Sequence, residues 1–145
     1  MAVTDVRACY ASIEADVVLG RLLDLGVPPD AAAEIGSWLR AFRDLGVEGL
    51  PVGPASSALL ADAVLSVGDD AIRPTGVPHV RWVDDVVLFA KDGRAGLRAL
   101  DALRQSWRGV GLDVHEGKTA IFSGPDAAAA LMADVTSHPC SAALR

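Results

Sequence analysis

The chain has 145 residues, of which 51% are hydrophobic, enough for one domain with a buried core. A net charge of −6 argues against the broad basic surface with which a protein grips nucleic acid on its own. No basic segment leads into an apolar run at the N-terminus, and no apolar run reaches the ~18 residues of a membrane span. Cys9 and Cys140 form no zinc pattern. We therefore expect a reduced, cytoplasmic protein with no membrane partner.

The chain opens with a predicted strand and two amphipathic helices. Residues 2–6 predict a short strand that ends at Asp5. Ser12 is the predicted N-cap of the first helix, and Asp30 opens the second. Apolar residues recur at helical spacing in both helices and are expected to pack in the core. They are Ile13, Val17, Val18, Leu22 and Leu25 in the first helix, and Ala31, Ile35, Trp38, Leu39 and Phe42 in the second.

A loop rich in glycine and proline, residues 49–57, leads into a third predicted helix. Backbone N–H groups in such a loop can bind an anion, although most such loops only turn the chain. We interpret Asp69 and Asp70 as a solvated helix end. The apolar positions of this helix are Leu59, Leu60, Ala63, Val64 and Val67.

Residues 78–91 predict a β-hairpin with two adjacent aspartates, Asp84 and Asp85, at its bend. Two interpretations stay open on these residues alone. Aspartate tolerates turn geometry, so the pair can be a solvated hairpin tip. Alternatively, two like charges side by side favour a divalent cation held by carboxylate oxygens.

A fourth helix and a final strand or hairpin complete the predicted elements. Three spaced leucines and Trp107 define the helix. Segments 112–114 and 119–122 predict the strand or hairpin, with Lys118 at the bend between them, and an Ala-rich helical stretch follows Gly124. Ordinary packing or surface positions are expected for Cys9, His79, His115 and His138, because no histidine has a partner at metal-ligand spacing.

This order of elements (strand, helices, strand, strand, helix, strand) is that of a ferredoxin-like βαββαβ domain of the α+β class. Such a domain is an antiparallel sheet with helices on one face, and here the first crossover holds extra helix. The first strand lies beside a strand of the central hairpin, which places Asp5 next to Asp84 and Asp85. Three neighbouring carboxylates repel one another and need cations. Two Mg²⁺ ions about 3.5–4 Å apart are the arrangement that nucleotidyl transfer uses.

Residues 3–122 carry four motifs in the order found in the palm domain of reverse transcriptases. Residues 4–13 resemble the first palm motif, and the loop at 49–54 resembles the segment beside the incoming nucleotide and template. Residues 82–85 resemble the aromatic-x-Asp-Asp signature, and residues 111–119 resemble the fourth motif. The resemblance is strongest to the bacterial group, which includes group II intron, retron and phage-defence enzymes.

The resemblance implies roles for individual residues. Asp5, Asp84 and Asp85 would bind the metal ions, with Asp85 assisting. Tyr10 would abut the sugar and exclude a ribonucleotide 2′-hydroxyl, while a half-buried packing role for it stays open. Lys118 would protonate the pyrophosphate leaving group, against the alternative of a solvated turn lysine. The remaining substrate contacts that the resemblance implies are Val6, Pro51, Val52 and Gly53.

The sequence departs from the family pattern in three ways. Val52 stands where many members carry Gln, and Val cannot supply the hydrogen bond that positions the nucleotide. Trp82 replaces the more usual Tyr or Phe. The sequence starts at the first palm motif, so we expect a palm over residues 3–123 with fingers absent. The thumb is expected to be absent too, or reduced to a remnant in residues 124–145.

The function that the resemblance implies is RNA-directed DNA synthesis, the transfer of a dNTP onto a primer 3′-hydroxyl. Its cofactors would be two Mg²⁺ ions, with Mn²⁺ as a substitute. Its partners would be an RNA template, a DNA primer and either the missing fingers and thumb segments or a partner chain. As a fragment, the chain is expected to have little activity alone.

Two other functions stay open. A non-catalytic palm remnant could act as an interaction module, which the acidic composition would suit. A different nucleotidyl transferase, such as a cyclase, could use the same sheet, although the loop at 49–53 and Lys118 argue against it.

Overall fold

A computed structural model describes residues 1–122 together with Gly124 and Ala129. The predicted tail at 124–145, with Cys140, His138 and the thumb-remnant hypothesis, otherwise lies outside the described residues. No helix in the described part of the chain has the length and apolar character needed to cross a bilayer. The strands are β1 (Ala2–Thr4), β2 (His79–Trp82), β3 (Asp85–Leu88) and β4 (Ala120–Ile121). The helices are α1 (Cys9–Ser12), α2 (Ala15–Asp24), α3 (Pro29–Asp44), α4 (Ala55–Ile72) and α5 (Gly93–Gly109), with short 3-10 helices at Arg73–Thr75 and Glu116–Lys118.

The described strands form one antiparallel sheet in the order β2-β3-β1-β4. β1 lies in the centre, where Val3 is registered with Val87 of β3 on one side and with Ala120 of β4 on the other. β2 and β3 form the predicted hairpin. This order and direction of strands are those of the ferredoxin-like fold, so the prediction of an α+β domain of this type is confirmed.

Helices cover one face of the sheet and bury it. Val86 and Leu88 of β3 are 1% and 0% exposed, whereas the alternate residues of that strand are not fully buried, as the two-residue period of a strand requires. α4 and α5 pack closely behind this face because Gly68 leaves room for Trp107. The indole N–H of Trp107 donates to the carbonyl of Leu65 at 3.1 Å. α5 therefore packs against both α4 and the sheet.

The prediction of Ser12 as a helix N-cap is wrong. Ser12 is the last residue of the one-turn helix α1, and its hydroxyl donates to the carbonyl of Arg7. α2 begins at Ala15 after an N-cap at Glu14. The extra turn exists because Ala8 adopts a left-handed conformation with φ of 46°, which local sequence preference does not favour.

Some apolar residues predicted to lie in the core are exposed instead. Trp38 is 60% exposed, Phe42 is 38% exposed and Leu59 is 74% exposed. Helical periodicity identified the apolar stripe but not how much of it another element covers. α3 packs mainly against α2, so only the part of its stripe around Leu39 is buried.

The first and last predicted strands of the chain are shorter than expected. β1 ends at Thr4, and Val6 forms only a single antiparallel bridge with Val114. Residues 112–114 are therefore not a strand, and β4 holds two residues. The chain instead turns through the 3-10 helix at Glu116–Lys118, which lies against β1.

Candidate active site

The antiparallel pairing of β1 with β3 brings the predicted acidic residues to one end of the sheet. Thr4 is registered with Val86, so the chain leaves β1 at Asp5 beside the start of β3 at Asp85. The two-residue connection of the hairpin ends with Asp84. The three aspartates therefore lie at the same end of the sheet, as the order of elements predicted.

Asp5 is a buried carboxylate with one satisfied and one unsatisfied oxygen. The residue is 4% exposed, and Lys118 Nζ donates to its Oδ2 at 2.6 Å. Its Oδ1 is buried and accepts no hydrogen bond from the described residues. A buried carboxylate oxygen without a donor is costly unless a cation or ligand contacts it. Asp5 thus retains the capacity to bind a cation through Oδ1.

The surroundings of Asp84 disfavour its negative charge. Burial raises the pKa of its carboxyl, and the charges of Asp85 and Asp5 raise it further, although a backbone hydrogen bond and Lys118 oppose the rise. The carboxylates are therefore close enough to repel one another. Added positive charge would relieve that repulsion.

Lys118 supplies one positive charge to this acidic group. Its hydrogen bond to Asp5 and the charge of that carboxylate raise the pKa of its ammonium, and the charges of Asp85 and Asp84 add to the effect. The side chain is still 54% exposed, so a molecule arriving from solvent can reach it. Lys118 is a protonated group that faces both the acids and the solvent.

The loop that carries Lys118 is attached by two further contacts, one to Thr4 at the end of β1 and one to Asp5, the next residue. The N–H of His115 donates to the carbonyl of Asp5 at 2.8 Å. The hydroxyl oxygens of Thr119 and Thr4 are 2.7 Å apart and share a hydrogen bond. Since these contacts lie on either side of Lys118 in the sequence, they hold the loop beside Asp5.

A metal site fits these residues only if other molecules complete it. In the part of the chain that the structure describes, no three histidine, cysteine, aspartate or glutamate side chains form a group that could hold a metal ion by themselves. Mg²⁺ commonly binds through one or two carboxylates and completes its shell with water and substrate phosphates. The unpartnered oxygen of Asp5 and the crowded carboxyl of Asp84 suit that mode. The metal-ligand roles of Asp5, Asp84 and Asp85 stay a prediction.

Tyr10 lies against the loop that follows α3. The N–H of Leu50 donates to the carbonyl of Tyr10 at 2.8 Å. Gly49 has φ of +62°, and a Cβ there would collide with the Tyr10 carbonyl oxygen, so this approach requires glycine. The Tyr10 side chain is half-buried and packs against the core. The fold thus joins the first and second motifs, while the sugar-gate role of Tyr10 stays a prediction.

The other predicted substrate contacts differ in exposure. Val52 is 84% exposed, Gly53 is exposed and Pro51 is half-buried, so this loop faces solvent. Val6 is 3% exposed, which makes its side chain part of the core and leaves only its backbone for a substrate. The substrate roles of these four residues stay predictions.

The prediction that Asp69 and Asp70 form a solvated helix end is correct for their position, since both lie in the last turn of α4, and Asp70 is exposed. It is wrong for Asp69, which is 22% exposed and pairs with Arg81. Asp70 pairs with Arg73 on its own turn and with Arg21 of α2. Partners in other elements, such as Arg21 and Arg81, are not revealed by local sequence. Arg81 is a residue that sequence reasoning missed. The available signal was a single charge between apolar neighbours in a predicted strand, which implies a buried partner.

The sheet order, the three carboxylates at one sheet end and the attached lysine loop together define a palm-type domain of the polymerase class. Residues 1–140 match the family model of the reverse transcriptase (RNA-dependent DNA polymerase) domain, so the chain belongs to this family. The match confirms the resemblance expected from the four motifs. The bacterial group II intron, retron or defence subtype stays a prediction. No curated protein matches the chain significantly.

Proposed function

We propose that the chain provides the palm active site of an RNA-directed DNA polymerase, which joins a dNTP to the 3′-hydroxyl of a DNA primer on an RNA template. The observation that carries this proposal is the buried Asp5 oxygen without a donor, next to the crowded carboxyls of the hairpin bend. Such a group is stabilised by divalent cations and by the substrate oxygens that accompany them. Membership of the reverse transcriptase family supports the choice of reaction.

Asp5, Asp84 and Asp85 would hold two Mg²⁺ ions, or Mn²⁺ in their place. When bound, the ions would activate the attacking hydroxyl and neutralise the charge of the triphosphate. Lys118 is protonated and half-exposed, so it can give a proton to the departing pyrophosphate. With ions bound, Asp5 would serve as one of their ligands, and the ammonium of Lys118, which now contacts Asp5 Oδ2, would face the leaving group.

Tyr10 and the loop from Gly49 would form the pocket for the nucleotide. The half-buried ring of Tyr10 would pack against the deoxyribose, where a 2′-hydroxyl would collide with it. The exposed residue Val52 offers an apolar surface but no hydrogen bond to the nucleotide. Discrimination between deoxyribonucleotides and ribonucleotides would therefore depend on the shape of the pocket more than on polar contacts.

The chain alone would extend a primer slowly. Its net charge is −6, and a protein that binds a nucleic-acid backbone tightly presents an excess of Lys and Arg. Fingers and thumb segments, or a partner chain, would supply that positive charge. The acidic site of this chain would thus carry out the chemistry, while other segments or a partner chain would bind the duplex.

A primer-extension experiment tests the site. The purified chain is incubated with an RNA template, a labelled DNA primer and dNTPs, with Mg²⁺ or Mn²⁺, and binding of Mn²⁺ is followed in parallel by electron paramagnetic resonance. We expect slow extension and Mn²⁺ binding, both lost in Asp5→Asn and Asp84→Asn. The matched control is Asp101→Asn, which removes an exposed carboxylate on α5 and should change neither.

Two outcomes would overturn parts of the proposal. Mn²⁺ binding that is unchanged in Asp5→Asn and Asp84→Asn would remove the metal site. Rapid extension by the chain alone would contradict the need for further positive segments.

A non-catalytic interaction module is the second candidate function. It is favoured by the exposed apolar side chains Trp38, Phe42 and Leu45, which share one side of α3 and its end. Mn²⁺ that fails to raise the melting temperature of the wild-type chain would favour this candidate, because a ligand that binds only the folded state stabilises it.

A further inference from the structure

The hairpin bend that carries Asp84 holds a strained backbone. Val83 has φ of 55°, in the left-handed region that a β-branched residue rarely adopts. Such a conformation is strained and persists only where the surrounding structure holds it. The peptide that links Val83 to Asp84 is therefore kept in place by other contacts.

Arg81 makes such a contact from the neighbouring strand. Its side chain is 9% exposed, and Nη1 donates to the carbonyl of Val83 at 2.9 Å. That carbonyl belongs to the peptide that leads into Asp84. The guanidinium thus touches the backbone immediately before the predicted metal ligand.

The rest of the Arg81 guanidinium is fixed on α4. Nε lies 3.0 Å from both carboxylate oxygens of Asp69, and Nη2 lies 2.8 Å from Asp69 Oδ2. Nη2 also lies 2.8 Å from Asp62 Oδ1. Asp62 and Asp69 are seven residues apart and share one face of the helix. Charge-assisted hydrogen bonds of this geometry are stronger than neutral ones.

We propose that Arg81 is a positioning residue of the acidic site: it holds the strained peptide between Val83 and Asp84 against α4 and so fixes where Asp84 presents its carboxylate to a divalent cation. The planar guanidinium reaches the helix and the bend at once, which a single ammonium does not. This inference rests on the proposed function, since the ligand concerned is the metal ion of that site.

The test measures Mn²⁺ affinity by electron paramagnetic resonance in the full chain. We expect Arg81→Gln to weaken binding about tenfold, as loss of a residue that orients a metal ligand typically does. Arg81→Lys should weaken it to a similar extent. Adding Val83→Gly to Arg81→Gln should restore most of the affinity, because glycine adopts positive φ without strain and the bend then forms unaided. Val83→Gly alone is the reference for the double variant.

Arg21→Gln is the matched control. Arg21 is 16% exposed and, like Arg81, bonds a backbone carbonyl (Ala63) and a carboxylate (Asp70), but it joins α2 to α4 and has no hydrogen bond to the bend among the described residues. It should lower the free energy of unfolding yet leave Mn²⁺ affinity within about twofold of wild type. Should Arg81→Gln not fold, Asp69→Asn weakens the same attachment more mildly, and its smaller loss of affinity should also be recovered by Val83→Gly.

The outcomes separate this inference from the proposed function. If Asp84→Asn binds Mn²⁺ as wild type does, the proposed metal site fails whatever Arg81 does. If Asp84→Asn abolishes binding while Arg81→Gln matches wild type, only the role of Arg81 fails. If Arg81→Gln weakens binding and Val83→Gly does not restore it, Arg81 acts on general stability and the positioning role is overturned.

Discussion

Lys118 is 54% exposed, yet its ammonium contacts a carboxylate in a residue that is 4% exposed. Replacing it by Met would leave the charge of Asp5 buried without a partner. We expect Lys118→Met to lower the free energy of unfolding in EDTA by about 1–3 kcal/mol, the cost of an unsatisfied buried polar group. Urea unfolding followed by circular dichroism measures this.

Mn²⁺ should restore much of the stability lost in Lys118→Met, because a cation at Asp5 replaces the missing ammonium. Lys91→Met is the control, since Lys91 is exposed and, within the part of the chain that the structure describes, forms no ion pair with the acidic residues. A Lys118→Met variant as stable in EDTA as Lys91→Met would contradict the importance of this ion pair.

Cys9 is a second residue whose surroundings fix its chemistry. It is 5% exposed, which confirms its predicted packing position, and burial with the charge of Asp84 raises the pKa of its thiol to about 12. A thiol, unlike a thiolate, reacts slowly with disulfide reagents. We expect Cys9 in a Cys140→Ser variant to resist Ellman's reagent up to about pH 9 and to react on unfolding in urea. Rapid labelling of the native chain would show that this region opens.

At the scale of elements, the contact between α1 and the loop after α3 depends on one glycine. Gly49→Ala would force a Cβ into the Tyr10 carbonyl at positive φ, so we expect a loss of about 2–4 kcal/mol or a displaced loop. Gly20→Ala is the comparison, because Gly20 lies within α2 with open space around its Cβ position.

Gly20→Ala should instead stabilise the chain by about 0.5–1 kcal/mol, since alanine is the better helix former. Thermal unfolding of both variants checks the pair. Equal changes in stability for the two substitutions would mean that the close contact of Gly49 with the Tyr10 carbonyl does not constrain the loop.

The sequence predicted well those elements whose type follows from their own residue pattern. The hairpin, α4 and α5 follow from β-branched runs and helical spacing. α1 was missed because Ala8 adopts a left-handed conformation that alanine rarely takes. The exposure of Trp38 was missed because helical periodicity identifies an apolar stripe but does not show whether another element packs against it. Local preference thus predicts an element, while its neighbours decide its ends and its buried face.

At the scale of the whole molecule, topology alone brought Asp5 to Asp84 and Asp85, because a central first strand beside a hairpin leaves both at one sheet end. The order of elements was enough to predict that meeting. The attachment of Arg81 to Asp69 was not predictable, since it joins a strand to a helix through side chains alone. Sequence therefore predicted which acids meet, and the structure adds what holds one of them in place.

At the acidic site, the stability of the metal-free fold and the binding of a cation make opposite demands on Asp84. The folded state raises the pKa of Asp84, chiefly by burial and then through Asp85 and Asp5, so the ionised carboxylate is less stable in the folded chain than in the unfolded chain. A neutral side chain of the same shape removes that cost. We expect Asp84→Asn to raise the free energy of unfolding in EDTA by a few tenths to about 1 kcal/mol, a modest gain since solvent screens this half-buried site.

The same Asp84→Asn variant should lose Mn²⁺ binding and primer extension, because the carboxylate that destabilises the metal-free fold is the one a cation needs. Mn²⁺ would then stabilise wild type but not the variant, and the two unfolding curves would converge or cross as the metal concentration rises. Urea unfolding of both proteins in EDTA and in Mn²⁺ measures this, with Asp101→Asn as the exposed-acid control. A loss of stability on neutralising Asp84 in EDTA would show instead that this carboxylate supports the fold, and the cation-binding role of the bend would lose its energetic basis.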